Sequence, residues 1–138
     1  MPGKESLRLQ QYYGHTRNAF WKIMYHLFDE DIEFDYTKKI EFLKKNDVAL
    51  WDICQYAERK SSLDSDIKNE TPNEISNFLN EFSSIKIIAF NGKKTAQLFD
   101  KYIERNKQIR YITLLSTSPA NARFTFEDKL NNWKSILL

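Results

Sequence analysis

Short apolar segments alternate with amphipathic segments along this chain, and this order limits the possible folds more than any other feature of the sequence. "IKIIAF" (Ile85–Phe90) predicts a strand that ends at Asn91-Gly92. A helix is predicted from about Lys94 to Arg105, and "YITLL" (Tyr111–Leu115) predicts the next strand. Strands that alternate with helices are typical of βαβ units, so the sequence predicts an α/β fold with a parallel sheet.

The same patterns predict a third strand and four further helices. "VALWDIC" (Val48–Cys54) is short and rich in apolar residues, which predicts a buried strand. One further helix is predicted to begin near Arg17 or Asn18, and another to cover Tyr36–Lys45. A third is predicted to start at Pro72, in its first turn, with Thr71 as N-cap, and a fourth to cover about Phe126–Leu137.

Parallel sheets bind their ligands in the crevice beyond the carboxyl ends of the strands. The three predicted strands are followed there by Gln55–Arg59, by Asn91-Gly92 and by Ser116–Asn121. We therefore expect these three loops, together with the opening stretch Gln10–Trp21, to surround the functional site.

Composition narrows the class of protein. The chain has 138 residues, of which 41% are apolar, enough for one domain with a real core. A net charge of +2 is compatible with nucleic acid without arguing for it. One cysteine and two histidines predict no disulfide framework, no thiolate metal site and no zinc site. No cofactor is expected. No apolar run approaches a membrane span and no signal peptide opens the chain, so a cytoplasmic domain is expected.

The loop "STSPANA" places three hydroxyls and an asparagine directly after an apolar strand. Hydroxyls and backbone N–H groups at such a turn suit phosphate binding, and Pro119 stiffens the loop. The alternative interpretation is an ordinary turn with a helix cap, because serine, threonine, proline and asparagine are common turn residues.

The stretch "QYYGHTRNAFW" is the second candidate. Tyr12 and Tyr13 are suited to stack on a planar base, Arg17 to reach a phosphate, and Asn18 to meet a base edge or a water molecule. In the structural alternative the tyrosines cover the core, Asn18 caps the helix and Arg17 is solvated. His15 is expected to be a loop histidine rather than a catalyst.

Three more side chains fall at the same predicted edge of the sheet. Asp52 lies inside an apolar strand, where a carboxylate is costly unless it is paired, and Arg59 is a candidate partner. Asn91 ends a strand and either lines the cleft or forms an Asn-Gly turn. Cys54 is expected to be a small buried residue.

Five segments stand in this order along the chain: "MPGKESL", "QYYGHTRNAFW", "LWDIC" with "SLD", "FNGKKTAQLF" and "STSPANA". Together they resemble the uracil-DNA glycosylase superfamily over almost the whole chain, and most closely its hypoxanthine-DNA (deoxyinosine) or G/U mismatch-specific branch. The resemblance implies a monofunctional, metal-free enzyme that flips a deaminated base out of DNA and hydrolyses its N-glycosidic bond. It also implies a three-layer α/β/α sandwich around a four-stranded parallel sheet.

The resemblance also implies roles for individual residues. Asn18 matches the asparagine of the family's "HPRN" motif, which is implicated in catalysis, and Ser116–Asn121 matches a motif for DNA backbone contact and catalysis. With the interpretations above, the predicted residues are Asn18, Ser116 and Asn121 for catalysis, Tyr12, Tyr13, Asp52 and Asn91 for base binding, and Arg17, Ser118, Pro119 and Arg59 for the DNA backbone.

The chain departs from the family pattern in four places. Thr16, Ser61 and Leu115 stand where the family usually has proline, glycine and proline, and none of them removes a proposed functional side chain. The sequence also starts at the methionine of "MPG", so the family's preceding strand is not in it. We expect a single N-terminally truncated domain, 1–138, with three visible strands and low stability. A monomer is expected, with self-association through the exposed sheet as the alternative.

Other functions stay open at this point. One is a non-catalytic DNA-binding module, or an inactive truncated form, of the same fold. Another is a small-molecule α/β enzyme, which is less favoured because no glycine-rich phosphate fingerprint follows a strand. The leading hypothesis is a DNA repair glycosylase whose partner is DNA containing hypoxanthine or uracil.

Overall fold

The computed structural model of the protein describes residues 11–58 and 68–137. The helices within these ranges are α1 (Phe20–Leu27), α2 (Tyr36–Lys45), α3 (Ile75–Glu81), α4 (Lys93–Tyr102) and α5 (Phe126–Trp133), which continues as a 3-10 turn over Lys134–Leu137. The strands are β1 (Cys54–Glu58), β2 (Lys68–Pro72), β3 (Ile87–Asn91) and β4 (Arg110–Leu114).

A parallel strand pair connected by a helix forms the centre of the fold, as the sequence predicts. β3 pairs with β4 in a register that sets Ile87 opposite Arg110 and Asn91 opposite Leu114. The two strands therefore end together, and α4 makes the crossover between them. This register brings the loop after β3 next to the loop after β4.

Side chains of the parallel sheet alternate between two hydrophobic clusters. Leu114 of β4 packs with α1, α2 and α5 in one cluster, whereas Phe90 of β3 packs with α4 in the other. The largest buried side chains include Phe90, Phe99, Ile23 and Met24. The sheet thus lies between two helical layers, which confirms the predicted α/β class.

The predicted strand over Val48–Cys54 is wrong. The structure has no regular element over residues 48–53, and β1 begins at Cys54 and pairs antiparallel with β2. Carbonyl groups of this segment are bound by Asn73 instead: its side chain donates to Asp52 O at 2.6 Å and its backbone N–H to Ile53 O at 2.7 Å. Apolar residues here pack against the core without forming a ladder. A short apolar run in the sequence fits such a segment as well as it fits a buried strand.

The predicted helix start at Pro72, with Thr71 as N-cap, is also wrong. Thr71 and Pro72 end β2 and pair with Tyr56 and Cys54 of β1. Proline is tolerated at such a position because it lies at the end of a strand rather than inside a ladder. α3 starts only at Ile75, and the described parallel sheet has two strands rather than three.

Candidate active site

A cleft of about 850 Å³ opens beside β3 and the carboxyl ends of the parallel strands. Its wall includes most of the residues that the sequence analysis selects: Tyr12, Tyr13, Asn18, Asp52, Asn91, Ser116, Ser118 and Pro119. This volume is in the range of ordinary small-ligand sites. The structure therefore brings side chains from widely separated segments to one cavity.

Two of the selected residues with a described position are not in that wall. Arg17 is exposed, and Asn121 is half-buried and donates from Nδ2 to Ser116 O at 3.1 Å. Arg59, the candidate partner of Asp52, lies outside the described residues. Asn121 therefore contacts the backbone of the loop in this structure.

Asn91 is joined to the buried Thr117 by two reciprocal hydrogen bonds. Asn91 Nδ2 donates to Thr117 Oγ1 at 2.9 Å, and Thr117 N–H donates to Asn91 Oδ1 at 2.9 Å. Thr117 has no exposed surface. Both ends of the Asn91 amide are thus engaged inside the protein, so this residue ties the end of β3 to the loop after β4.

Gly92 lets the two loops approach each other closely. Its φ of +102° lies in a region that favours glycine, and a Cβ there would come 3.3 Å from Ser116 Cβ. Its N–H donates to Leu114 O at 3.1 Å, one residue beyond the ladder. Only glycine provides both this conformation and this spacing.

The hydroxyls of Ser116 and Ser118 fold the loop on itself, and both residues line the cleft. Ser116 Oγ accepts the N–H of Ser118 at 3.2 Å, and Ser118 Oγ accepts the N–H of Ala120 at 3.2 Å. A hydroxyl that accepts a bond keeps its own hydrogen to donate. Both serines can therefore donate to an acceptor in the cleft, such as a phosphate oxygen.

Asn18 enters the site from the start of α1. Its Oδ1 accepts the N–H of Phe20 at 3.0 Å, and its backbone N–H donates to His15 O at 2.9 Å. The next residue, Ala19, donates its N–H to Thr117 O at 3.1 Å, which joins α1 to the loop after β4. Oδ1 already accepts one hydrogen bond, and the Nδ2 group is the donor that this amide can offer to a ligand.

Tyr12 and Asp52 form a polar pair on the opposite part of the wall. Burial raises the pKa of Tyr12 to about 12, and the negative charge of Asp52, with a hydrogen bond between the two side chains, contributes to the rise. Tyr12 is also fixed by its backbone, since its N–H donates to Tyr36 Oη at 3.1 Å and its carbonyl accepts Trp21 Nε1 at 3.0 Å. The phenol stays protonated at neutral pH and can donate.

Tyr13 connects the cleft wall to the core. Its ring centroid lies 4.1 Å from that of Phe20, which is buried, and its φ of +55° is unusual for a residue with a side chain. Such a conformation costs of the order of 1 kcal/mol and persists only where its surroundings enforce it. One face of the Tyr13 ring therefore packs inward, as the structural alternative predicts, while the residue still borders the cleft.

Two residues of the site escaped the sequence analysis. Thr117 stands between the two serines of "STSPANA", and nothing in the local pattern distinguishes it from them. Trp51 is 47% exposed on the cleft wall, with its ring 4.9 Å from that of Phe78. In the sequence alone, a tryptophan within an apolar segment indicates a buried strand, so its exposure on the cleft wall was not predicted.

Residues 11–58 and 68–137 contain no group of three or more histidine, cysteine, aspartate or glutamate side chains arranged to hold a metal ion. None of the helices described there has the length and apolar character that a membrane crossing requires.

The sequence matches a known family, and the fold matches a solved structure. A family model described as the uracil DNA glycosylase superfamily matches residues 1–136. The chain belongs to this superfamily, and it is a DNA glycosylase, a hydrolase that acts on N-glycosyl bonds.

Individual relatives agree with this assignment. Two curated proteins named hypoxanthine DNA glycosylase are similar to the chain. The one from Methanosarcina barkeri is 34% identical, covering 96% of this chain and 83% of the relative. The one from Methanosarcina acetivorans is 33% identical, covering 99% and 85%. A solution NMR structure assigned as a uracil DNA glycosylase from Methanosarcina acetivorans superposes with a TM-score of 0.83 at 33% identity, covering 98% of this chain and 83% of that one.

Proposed function

We propose that this glycosylase removes deaminated bases, hypoxanthine or uracil, from DNA. One observation carries the proposal: Asn18, Asp52 and the serines of the 116–121 loop border a single cleft, although they come from three distant segments. The relatives named hypoxanthine DNA glycosylase support the same class of substrate. A base must leave the helix to enter such a cleft, because the atoms to be attacked are inaccessible inside the duplex.

Asn18 is the residue proposed to assist departure of the base. As the bond between C1′ and the base nitrogen breaks, the electron pair goes to the base, the sugar becomes oxocarbenium-like, and water adds hydroxide to C1′ and a proton to the base. A donor aimed at a base oxygen stabilises the negative charge that develops there. The Nδ2 group of Asn18 suits this role because its Oδ1 already holds the N–H of Phe20.

Asp52 is the residue proposed to recognise the deaminated edge. Hypoxanthine and uracil carry an N–H beside a carbonyl, where adenine and cytosine carry a ring nitrogen with a lone pair. An ionised carboxylate only accepts hydrogen bonds, so it favours the deaminated bases and repels the two parent bases. Guanine and thymine also carry this N–H, so the carboxylate does not exclude them, and in this proposal the shape of the cleft does.

The remaining selected residues have supporting roles in this proposal. Tyr12 and Tyr13 border the base, and the hydroxyls of Ser116 and Ser118 donate to the DNA backbone while Pro119 stiffens their loop. Exposed Arg17 contacts a phosphate outside the cleft. Asn91 and Asn121 act through the loop that they hold.

Cleavage of defined oligonucleotides tests the proposal. Duplexes with a single inosine, uracil, adenine or cytosine at one position are incubated with the protein, and abasic sites are revealed by alkali. We expect cleavage at inosine or uracil and none at adenine or cytosine. Asn18→Ala should lose most activity; if it cuts as fast as the wild type, the role of Asn18 is wrong.

Asp52→Asn tests base recognition separately. An amide can present either a donor or an acceptor, so discrimination between inosine and adenine should fall. Loss of the hydrogen bond to the carboxylate should lower the rate on the inosine duplex by about tenfold or more. Asp52→Asn that retains the wild-type ratio of rates on the two duplexes would contradict the assignment.

A further inference from the structure

The loop Leu115–Asn121, here called the hydroxyl loop, is bonded through its backbone to α5. Three side chains of α5 bond to its backbone: Lys129, Asn132 and Trp133. Their spacing of three and four residues places them on one face of the helix. A capping box between Thr125 and Asp128 fixes the start of α5, so this face has a defined position.

Leu115 is held at both of its backbone groups. Asn132 Oδ1 accepts its N–H at 2.7 Å, and Trp133 Nε1 donates to its carbonyl at 2.8 Å. Trp133 is buried with 4% of its surface exposed. Leu115 stands where the family motif that this loop resembles commonly has proline, which has no N–H; leucine brings one, and Asn132 provides its acceptor.

Lys129 holds the other end of the same loop. Its Nζ donates to Ser118 O at 3.2 Å, and the residue is only 6% exposed. Burial lowers the pKa of this lysine, because a charged amine loses hydration inside the protein. The Ser118 carbonyl is also the acceptor for the N–H of Asn121 at 3.0 Å. Burying an amine costs free energy unless the amine is hydrogen-bonded, and the bond to Ser118 O offsets that cost here.

We propose that Lys129, Asn132 and Trp133 form a clamp that positions the hydroxyl loop for the DNA substrate. They act as positioning residues, because their contacts are to the loop backbone. With that backbone bonded inside the protein, the hydroxyls of Ser116 and Ser118 are presented to the cleft before DNA arrives. A loop that is already ordered costs less free energy to bind. The proposal rests on the proposed function in one respect, namely that the loop contacts substrate.

Substitutions at Asn132 test the clamp with two matched controls. Asn132→Leu removes the acceptor of the Leu115 N–H at similar volume, Asn132→Asp retains an oxygen there, and Asn131→Leu makes the same change at the exposed neighbouring position. Under single turnover on the inosine duplex, displacement of the loop should lower the rate at saturating DNA by about ten- to a hundredfold. Asn132→Asp should restore the rate, and Asn131→Leu should leave it unchanged.

Lys129→Met repeats the test from the other end of the loop, with Lys134→Met at an exposed lysine as its control. It also keeps the proposal testable if Asn132→Leu does not fold, and melting curves establish which variants are folded. Amide hydrogen exchange provides a readout that does not need activity: the Leu115 amide should exchange faster in Asn132→Leu than in Asn131→Leu.

The outcomes separate the clamp from the proposed function. Wild-type protein that cuts neither inosine nor uracil contradicts the proposed function, and amide exchange with DNA affinity then still tests the clamp. Folded Asn132→Leu and Lys129→Met proteins with wild-type exchange overturn the clamp. Faster exchange with unchanged cleavage also overturns it, because the contacts would then serve stability alone.

Discussion

At the scale of single residues, one side chain often serves the fold and the site together. Asn18 illustrates this: it is not the N-cap of α1, which is Ala19, but its Oδ1 accepts the N–H of Phe20 in the turn before the helix, and the residue also lines the cleft. An amide has two different ends, so a contact within the turn and a contact with a ligand are compatible.

Separating those two ends gives the first prediction. Asn18→Asp retains an oxygen for the Phe20 N–H but has no amide donor, whereas Asn18→Ala loses both. We expect Asn18→Asp to keep the wild-type melting temperature and to lose activity, by about a hundredfold or more if the donor acts in the transition state. Asn18→Ala should also lose activity, and its free energy of unfolding should fall by about 1 kcal/mol. Glycosylase rates and thermal melts measure the two effects, and an active Asn18→Asp would contradict the donor role.

Tyr12 predicts how stability depends on pH. Its pKa is raised to about 12 in the folded protein, from the ordinary 10.0. Above pH 10 the unfolded chain therefore loses this proton while the folded chain keeps it, so the free energy of unfolding should fall as pH rises through this range. Tyr12→Phe should reduce that slope in urea titrations between pH 9 and about 11.5. A Tyr12→Phe protein with the wild-type slope would contradict this prediction.

At the scale of elements, the parallel ladder determines where the loops meet, and hydrogen bonds between loops determine their shape. β3 and β4 end opposite each other at Asn91 and Leu114. Thr117 then bonds to Asn91 through its side chain and N–H, and to Ala19 through its carbonyl. A single buried threonine thus connects β3, the hydroxyl loop and the start of α1.

Thr117→Val tests that connection. Valine has nearly the shape of threonine but no oxygen, so Asn91 Nδ2 loses its acceptor. We expect destabilisation of about 1–3 kcal/mol by chemical denaturation, together with slower base excision because the hydroxyl loop shifts. Thr117→Ser keeps the hydroxyl and should retain more of the activity despite the lost methyl group. If Thr117→Val matches the wild type in both measurements, the pair has no such role.

At the scale of the whole molecule, the two hydrophobic clusters leave one edge of the sheet for the site. One cluster packs α1, α2 and α5 against the sheet, the other packs α4 against its opposite face, and the cleft opens beside β3. The small net charge of +2 means that affinity for DNA depends on where the cations lie rather than on their total number.

Arg17 gives a prediction at this scale. If the exposed Arg17 contacts a DNA phosphate, Arg17→Ala should weaken binding on all sequences and reduce the slope of log affinity against log salt by about one. Fluorescence anisotropy with a labelled duplex at several salt concentrations measures this. Lys107→Ala removes an exposed charge before β4, at the opposite end of the strands from the site, and should leave the slope unchanged. Equal slopes for the two variants would exclude a phosphate contact at Arg17.

Comparison of sequence and structure shows where local patterns carry information. The alternation of apolar residues predicted β3, α4 and β4, because periodicity reports which face of an element is buried. The same pattern wrongly predicted a strand at Val48–Cys54, because a segment that packs against the core without pairing with a strand can have the same apolar content. It also missed β2, since nothing in "KNETP" (Lys68–Pro72) indicates a strand before its antiparallel partner is known.

The sequence by itself determined the α/β class, the family, and the edge of the sheet where the site lies, because strand order and motif order are properties of the chain. Only the tertiary structure decided which polar groups bond to each other. Asn91 is hydrogen-bonded to Thr117, which is 26 positions away in the sequence, and Trp133 to Leu115, which is 18 positions away. Hydrogen bonds between residues so far apart depend on packing of α5 and α1 around the sheet, which no local pattern encodes. The same packing leaves Asn18, Asp52 and the two serines at one cleft.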